Sequence, residues 1–591
     1  MKRRVADIIM DILIENDITD CFAVVGGGAM HLDNALALNN KITKYFNHHE
    51  QACAMAAEAY ARLSGRMAAV CVTSGPGATN TLTGVMGAWQ DSLPMIVLSG
   101  QVRYEISVAK SGLPLRYRGI QEFEIVPTVK NMTKYAVMIT DPLSIKREMY
   151  KAIHIALEGR RGPVWIDVPQ DMQNAIVEET ELYPVESIVP KRASVDYANM
   201  IEQLQKAKRP CILAGSGIRS GDVMEEFTAF VEKAGIPVIG GAWVADNMYM
   251  EHRLYFGPSG NIGPRTGNFI LQNADVILVL GNSLGYRQTG FNQKDFAPNA
   301  IILMVDADEN EAKKPGIKIS EFIHRDLKTF FEEMLEWEIH ITVEAEWVKY
   351  CNALKERFDA FEAVKDIKLN ERVCSYYFWK IFGEYEPDDS ILALGNNTAN
   401  TAKLQIGVAK KEQRVLSNYT CGSMGYDLPA AIGAAVASGK TVFCVTGDGS
   451  IMMNLQELQT IKHYNLPVHV IVFSNGGYAA IRQTSKNFFN GVCIGCTEET
   501  GISFPNFKNV AETFGFEYMN CHTNAEVELA VQQLMRSEKR VLLEIDQLYD
   551  NPVIPKVMSR LDENGRMLTP ALQDMAPFLA DNEIKELMFS K

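Results

Sequence analysis

The sequence predicts an α/β protein built as three doubly wound parallel-sheet domains. Short apolar runs ending in Gly, Pro or polar residues recur along the chain, as buried parallel strands do, and helical sequence separates them. This β-α-β-α alternation is the signature of sheets covered by helices on both faces. With 591 residues the chain exceeds what one core can organise, and its length suggests about three or four domains.

The first block, 1–180, has strand candidates at 21–25, 68–73, 95–99 and 164–168, with a small-residue helix at 51–63. A polar stretch over 177–193 reads as a linker. The central block, 190–345, has strands at 211–214, 237–240, 276–280 and 300–305. Gly215 and Gly217 follow its first strand, and Gly281 and Ser283 its third, where ligands of open α/β sheets gather. A charged helical stretch, 332–366, leads into the third block, 365–560. Its strands are expected at 391–394, 441–445, 469–473 and 541–545. Residues 561–591 show no clear strand and read as a tail packed on the body.

Apolar residues make up 47% and charged residues 22%, the balance of ordinary soluble protein. A net charge of -14 argues against a nucleic-acid partner, which would want a basic face. No stretch approaches the roughly 20 uncharged apolar residues that span a bilayer. The N-terminus starts with basic residues, but Asp7, Asp11 and Glu15 interrupt any signal-peptide core, so it reads as an amphipathic helix. The expected location is the cytoplasm. Single, scattered cysteines fit reduced thiols there. The exception, Cys493 and Cys496, lacks a second pair nearby to complete a zinc site, and reads as two free thiols near a loop.

One motif carries chemistry. Gly447, Asp448, Gly449 and Ser450 follow the apolar run TVFCVT and precede helical sequence. The glycines let backbone N–H groups approach a phosphate, and a helix N-terminus adds its dipole. Asp448 supplies a hard oxygen ligand where a hard cation would bridge a diphosphate. Asn475 stands 27 residues further on (475 − 448), at the end of the next strand candidate. Strand, turn, helix and parallel strand bring it beside Asp448 at the carboxyl edge of the sheet. Gly476 and Gly477 can then turn a carbonyl toward the metal. Carboxylate, amide, carbonyl, water and two phosphate oxygens make the octahedron that Mg²⁺ requires.

GDG followed by Asn after just under thirty residues resembles the signature of thiamine diphosphate enzymes, and within them the acetolactate synthase group. The resemblance covers about residues 5–555. It implies pyrimidine-binding, central and diphosphate-binding domains in that order, with thiamine diphosphate and Mg²⁺ as cofactors. It makes Asp448, Asn475 and Gly477 the metal ligands. Glu50, in HHEQACAMAAEAYAR, falls at the position whose carboxylate hydrogen-bonds the aminopyrimidine and helps the cofactor lose its C2 proton. In the family this residue comes from the partner subunit, so a homo-oligomer is implied, dimer or tetramer.

Other matches are similarly placed. TSGPGATN at 73–80 resembles the loop beside the pyrimidine, with Pro76 and Asn80 on the cofactor. Gly26, Gly27 and Gly28 resemble the turn above the thiazolium, and Gln121, in RGIQEFEIV, a residue lining the pocket. Gly422 and Met424, in GSMG, resemble the segment whose large apolar side chain forces the cofactor into its V shape. Asn396 and Asn397 stand where acetolactate synthases carry Gln and His facing the diphosphate.

Two departures matter. Thr484, in RQTS, stands where the family has the Trp that helps select the second keto acid. Of the family's flavin-site RFDDR, only the second Arg survives, as Arg287. Asp306, Gly215 and Gly217 leave FAD open, and it would be structural, because carboligation involves no net redox chemistry. Residues 565–568 and 572–578 resemble tails of acetolactate-synthase-like carboligases of branched-sugar and surface-glycan synthesis. The resemblance as a whole implies decarboxylation of a 2-oxo acid, pyruvate, and transfer of the hydroxyethyl or acetyl unit to an acceptor carbonyl. A nucleotide-linked keto sugar as acceptor, or simple decarboxylation, are the alternatives.

Overall fold

The computed structural model describes residues 1–185, 194–242, 244–337, 341–361, 364–561 and 567–589. It contains three six-stranded, all-parallel sheets. The first runs, edge to edge, Thr43–Phe46, Asp20–Ala23, Ala69–Val72, Met95–Gln101, Pro163–Pro169 and Tyr135–Met138. The second runs Tyr255–Pro258, Val238–Gly240, Pro210–Ala214, Val276–Leu280, Ile301–Asp306 and Glu321–His324. The third runs Arg414–Leu416, Ile391–Leu394, Val442–Gly447, Val468–Ser474, Val541–Asp546 and Glu517–Cys521.

The expected strands are the four inner strands of each sheet. Sequence reasoning passed over the two edge strands of each sheet. Thr43–Phe46, Tyr135–Met138 and Glu517–Cys521 are largely half-buried or exposed, because an edge strand meets solvent. Tyr255–Pro258 is buried but interrupted by Gly and Pro.

Two expectations need correction. The stretch 177–193 is not all linker: Ile176–Glu178 pairs antiparallel with Lys2–Arg4 and clamps the N-terminus to the end of the first domain. Residues 186–193 lie outside the described residues. The tail is not without strands: Arg560–Leu561 pairs with Met567–Leu568. Beyond them Leu572 and Met575 are buried, and Asp581–Leu587 is helical. Asn268 Nδ2 donates to the Leu572 carbonyl at 3.1 Å and Arg265 Nη1 to the Met575 carbonyl at 3.2 Å, so the tail is fastened to the central domain. Gly565 falls outside the described residues.

The first and third domains share one hydrophobic core. Its centre is the contact between Glu50–Ser64 and Asp427–Ser438, two helices rich in Ala, the second with Gly433 at the contact. Small side chains let the backbones come close. A Cβ on Gly433 would stand 2.0 Å from the Ala56 carbonyl oxygen, and one on Gly84 would stand 2.6 Å from the Ala54 Cβ. A buried cluster reinforces the contact: Glu58 binds Arg62 and the Tyr426 hydroxyl, and Arg62 reaches Asp91 at 2.5 Å. Gly433→Ala is expected to force these helices apart and to destabilise the protein by about 1–3 kcal/mol, the usual effect of overpacking. Thermal unfolding checks this, and an unchanged midpoint would show that the two helices do not depend on the close approach.

Candidate active site

Asp448 ends the strand Val442–Gly447 and starts a single helical turn, Asp448–Ile451. Its carboxylate is 2% exposed. Oδ2 accepts the backbone N–H groups of Asn475, Gly476 and Gly477 at 2.9, 2.8 and 3.3 Å, and Oδ1 accepts that of Gly449 at 2.8 Å. Burial pushes the carboxyl above the usual carboxylate range, and the four N–H groups work against that shift. Asp448 and Asn475 therefore meet at the carboxyl edge of the sheet. The meeting follows from neighbouring parallel strands in register, Gly447 opposite Phe473.

The glycines around Asp448 are required by close approach. A Cβ on Gly449 would meet the Tyr478 ring at 2.2 Å, and one on Gly477 would meet the Cys496 carbonyl oxygen at 2.0 Å. The Asn475 side chain is held by two residues. Its Nδ2 donates to Gln547 Oε1 at 2.9 Å, and its Oδ1 accepts Arg482 Nη2 at 3.0 Å. Gln547 Nε2 in turn donates to Thr398 Oγ1 at 3.3 Å.

Asn397 caps the helix Thr398–Ile406 through Oδ1, which accepts the Asn400 N–H at 2.9 Å. Its Nδ2 is buried with no partner among the described residues, and it lies on the Gly447 side of the site. An orphaned buried donor is costly unless an acceptor arrives. Asn396 Nδ2 donates to the Gly422 carbonyl at 2.7 Å, and Gly422 has φ +64°, so this pair shapes the loop that carries the half-buried Met424. The Gly425 N–H donates to Ser450 Oγ at 2.9 Å, and Ser450 Oγ donates to Asp427 Oδ2 at 2.5 Å. Both roles of the Ser450 hydroxyl are thus engaged inside the fold.

The second group of residues lies in the first domain. Glu50 opens its helix, with His49 as N-cap accepting the Gln51 N–H through Nδ1 at 3.0 Å. Glu50 Oε2 accepts Asn80 Nδ2 at 2.9 Å, and a Cβ on Gly77 would stand 3.5 Å from Oε1. Glu50 therefore faces the turn that begins at Pro76. The preceding residues are pinned to the third domain: Glu457 accepts Asn47 Nδ2 at 2.8 Å and the His48 N–H at 3.0 Å. Gln121 has φ +60°, and its carbonyl oxygen would lie 2.4 Å from a Cβ on Gly75, so it sits over the same turn. Glu122 fixes that loop by accepting the Gly119 N–H at 2.8 Å. The Gly28 N–H donates to Thr73 Oγ1 at 2.9 Å, which holds the 26–28 turn beside it, while nothing lies within 4 Å of a Cβ on Gly27. Among the described residues no hydrogen bond joins Glu50 to Asp448. They anchor two separate clusters.

These two clusters coincide with known family domains. Residues 3–122 match "Thiamine pyrophosphate enzyme, N-terminal TPP binding domain", 197–334 the central domain and 393–545 the C-terminal TPP binding domain. The chain is 30% identical to "Acetolactate synthase 2, chloroplastic" of Zea mays, across 95% of this chain and 90% of that protein. It is 29% identical to "Acetolactate synthase large subunit" of Lactococcus lactis subsp. lactis, across 96% and 94%. To the protein of the same name from Buchnera aphidicola subsp. Schizaphis graminum it is 31% identical, across 88% and 90%. The chain belongs to the thiamine pyrophosphate enzymes. It is a thiamine diphosphate-dependent carboligase of the acetolactate synthase type.

The residues of this thiamine pyrophosphate enzyme fit a diphosphate–metal group. Asp448 Oδ1 accepts one hydrogen bond and keeps a lone pair, as does Asn475 Oδ1. The free Asn397 Nδ2 suits a phosphate oxygen. Among the described residues no cluster of three or more His, Cys, Asp or Glu could hold a metal, so a cation here would rely on one carboxylate with amide and carbonyl oxygens, as Mg²⁺ beside phosphate does.

The central domain offers a second cleft. Two adjoining cavities of about 330 and 310 Å³ share Asp91, Ser216, Ser220, Ser283 and Thr420, and one reaches Arg287, the other Asp306. They lie at the strand ends where a dinucleotide would sit. Gly215 and Gly217 do not themselves argue for one. A Cβ on Gly215 would strike the Gly281 carbonyl oxygen at 2.1 Å, so loop-on-loop packing already requires glycine there.

Sequence reasoning missed Gln547 and Glu457. Gln547 follows the strand Val541–Asp546, so its place at the carboxyl edge of the sheet was available as a signal. Glu457 acts across a domain boundary, and no local pattern marks it. Asp448→Ala removes the acceptor of four N–H groups and is expected to abolish measurable thiamine diphosphate binding by calorimetry in the presence of Mg²⁺. Wild-type affinity in that variant would remove Asp448 from the site.

Proposed function

We propose that this enzyme decarboxylates pyruvate with Mg²⁺ and thiamine diphosphate and transfers the two-carbon unit to an acceptor carbonyl. The observation that carries this reading is the Asp448 turn, with Asn475 alongside and the unpartnered Asn397 amide facing it. When bound, thiamine diphosphate supplies a carbon nucleophile and takes up the electrons released with CO₂. In this reading Asp448, Asn475 Oδ1 and the Gly477 carbonyl hold Mg²⁺, and Asn397 and Asn396 meet the diphosphate. Met424 supports the cofactor from below. Glu50 shares a proton with the aminopyrimidine ring, and Asn80, which now donates to Glu50, keeps that carboxylate oriented. Gly27 leaves room for substrate, and Gln121 borders it. Because Glu50 and Asp448 anchor separate clusters, a homo-oligomer in which one subunit's Glu50 serves the other's Asp448 fits the geometry. FAD in the central cleft would be structural. Visible flavin absorbance of the purified protein tests it.

A second reading concerns the acceptor. Thr484 is exposed on the helix Ala479–Phe488, and its hydroxyl is turned back onto the Ala480 carbonyl at 3.0 Å. Thr484 and Ala480 are small residues one turn apart, flanked on the same helix by the exposed Ile481 and Phe488. Lys556, from the segment leading into the tail, holds neighbouring Gln483 at 2.9 Å. Thr484, standing where the resemblance places a Trp, leaves room for an acceptor larger than a short 2-oxo acid, such as a nucleotide-linked keto sugar. Apolar pocket changes discriminate by about 1–3 kcal/mol, so pyruvate would still compete as its own acceptor.

Two outcomes test these readings. Glu50→Gln keeps the shape of the side chain and is expected to slow exchange of the cofactor's C2 proton by about 10²-fold or more with the fold intact. NMR exchange at the wild-type rate would show that Glu50 is not the activator. Thr484→Trp is expected to suppress use of a bulky keto acceptor while sparing CO₂ release from labelled pyruvate. Product analysis decides: acetaldehyde alone would mean a simple decarboxylase. Use of 2-oxo acids only, unchanged by Thr484→Trp, would return the enzyme to ordinary acetolactate synthesis.

A further inference from the structure

Cys493 and Cys496 are the chain's only C-x-x-C pair, and the chemistry above makes no use of them. Their loop is not remote from it. The Cys496 carbonyl accepts the Tyr478 N–H at 3.0 Å, and the Gly477 backbone lies directly against that carbonyl. The Cys496 peptide thus braces the turn whose N–H groups hold Asp448. From the other side, the Cys496 N–H donates to Thr500 Oγ1 and the Gly495 N–H to the Thr500 carbonyl, both at 3.0 Å. Gly495, at φ +58°, makes the tight bend between the two cysteines.

The two cysteines lie one tight bend apart on the same loop. Cys496 is buried, whereas Cys493 is half-buried, and Cys421 is the only other cysteine with any substantial exposure. A cationic group stands near. The Arg482 guanidinium is 5% exposed, lies 3.8 Å above the Tyr549 ring, and keeps Nε and Nη1 without hydrogen-bond partners.

We propose that Cys493 and Cys496 form a dithiol–disulfide modification site, oxidised by a small disulfide of the glutathione class, that loosens the cofactor turn. The coupling to the cofactor rests on the function proposed above. The Cys493 thiolate attacks one sulfur of the oxidant, giving a mixed disulfide and one free glutathione thiol. The Cys496 thiolate then attacks the Cys493 sulfur, closing the internal disulfide and releasing the second glutathione. Two protein thiols are oxidised, one disulfide is reduced, and the two thiol protons end on the two glutathiones. Closing the bond draws the two Cβ atoms to about 3.5–4.5 Å and fixes the dihedral between them. In this proposal the Cys496 peptide rotates as the bond closes, which costs its bond to Tyr478 and releases Gly477.

The full-length protein is incubated in reduced and in oxidised glutathione, alkylated and mapped by peptide mass spectrometry. Calorimetry measures thiamine diphosphate with Mg²⁺ on each sample. The expected result is a Cys493–Cys496 disulfide, cofactor affinity weaker by about tenfold or more, and recovery with dithiothreitol. Cys493→Ser is expected to bind cofactor like the reduced wild type and to ignore the oxidant; Cys496→Ser is expected to stop at a glutathione adduct on Cys493. Absence of the internal disulfide, or its formation with unchanged affinity, overturns the proposal. If reduced wild type binds no cofactor, the Asp448 reading fails and the coupling with it, while the peptide map still decides whether the pair is a modification site.

Discussion

The arrangement depends on how closely two helices approach. Glu50–Ser64 and Asp427–Ser438 pack backbone to backbone because Ala and Gly occupy the interface, and Gly433 lies against the Ala56 carbonyl. Close packing of this kind is intolerant of added volume. The first helix carries Glu50 at its N-terminus. The second begins just beyond the loop of Gly422 and Met424, and its Asp427 accepts Ser450 beside Asp448. The contact therefore sets the distance between Glu50 in the first domain and the Asp448 turn in the third, and any change in it moves both.

Around that contact, backbone groups build the site more than side chains do. Asp448 is held by four N–H groups, and the Gly477 and Gly449 positions admit no Cβ. A site made this way is rigid before a ligand arrives, which suits a cofactor whose diphosphate must be fixed while its ring end reacts. Asn397 Nδ2 is buried on the Gly447 side of the site with no hydrogen-bond partner among the described residues. The central domain repeats the architecture with different loops. There the glycines serve loop-to-loop packing, so the same residue type carries a different meaning in a similar sheet.

The inner strands, the Asp448–Asn475 spacing and the helix headed by Glu50 were all legible in the sequence. Each is a local signal: an apolar run, a motif, or small residues at helical spacing. Edge strands such as Thr43–Phe46 and Glu517–Cys521 were not legible, because solvent on one side removes the apolar run that identifies a buried strand, whereas the short run of Tyr135–Met138 was passed over. Nor was the pairing of Lys2–Arg4 with Ile176–Glu178, which joins the two ends of one domain and leaves no mark in either segment alone.

By itself, then, the sequence determined the three-sheet architecture and the family, and it pointed to the side chains proposed to hold a diphosphate and a cation, since strand burial and motif spacing are properties of short stretches. Only the tertiary structure decided what surrounds them. Gln547 and Arg482 hold the Asn475 amide, Glu457 pins the residues before Glu50, and the Cys496 carbonyl braces the Gly477 turn. Gln547 and Glu457 come from other strands or another domain than the residues they hold, and Cys496 from a separate loop. Their partners are set by how the sheets and helices pack, a relation that no local pattern in the chain encodes.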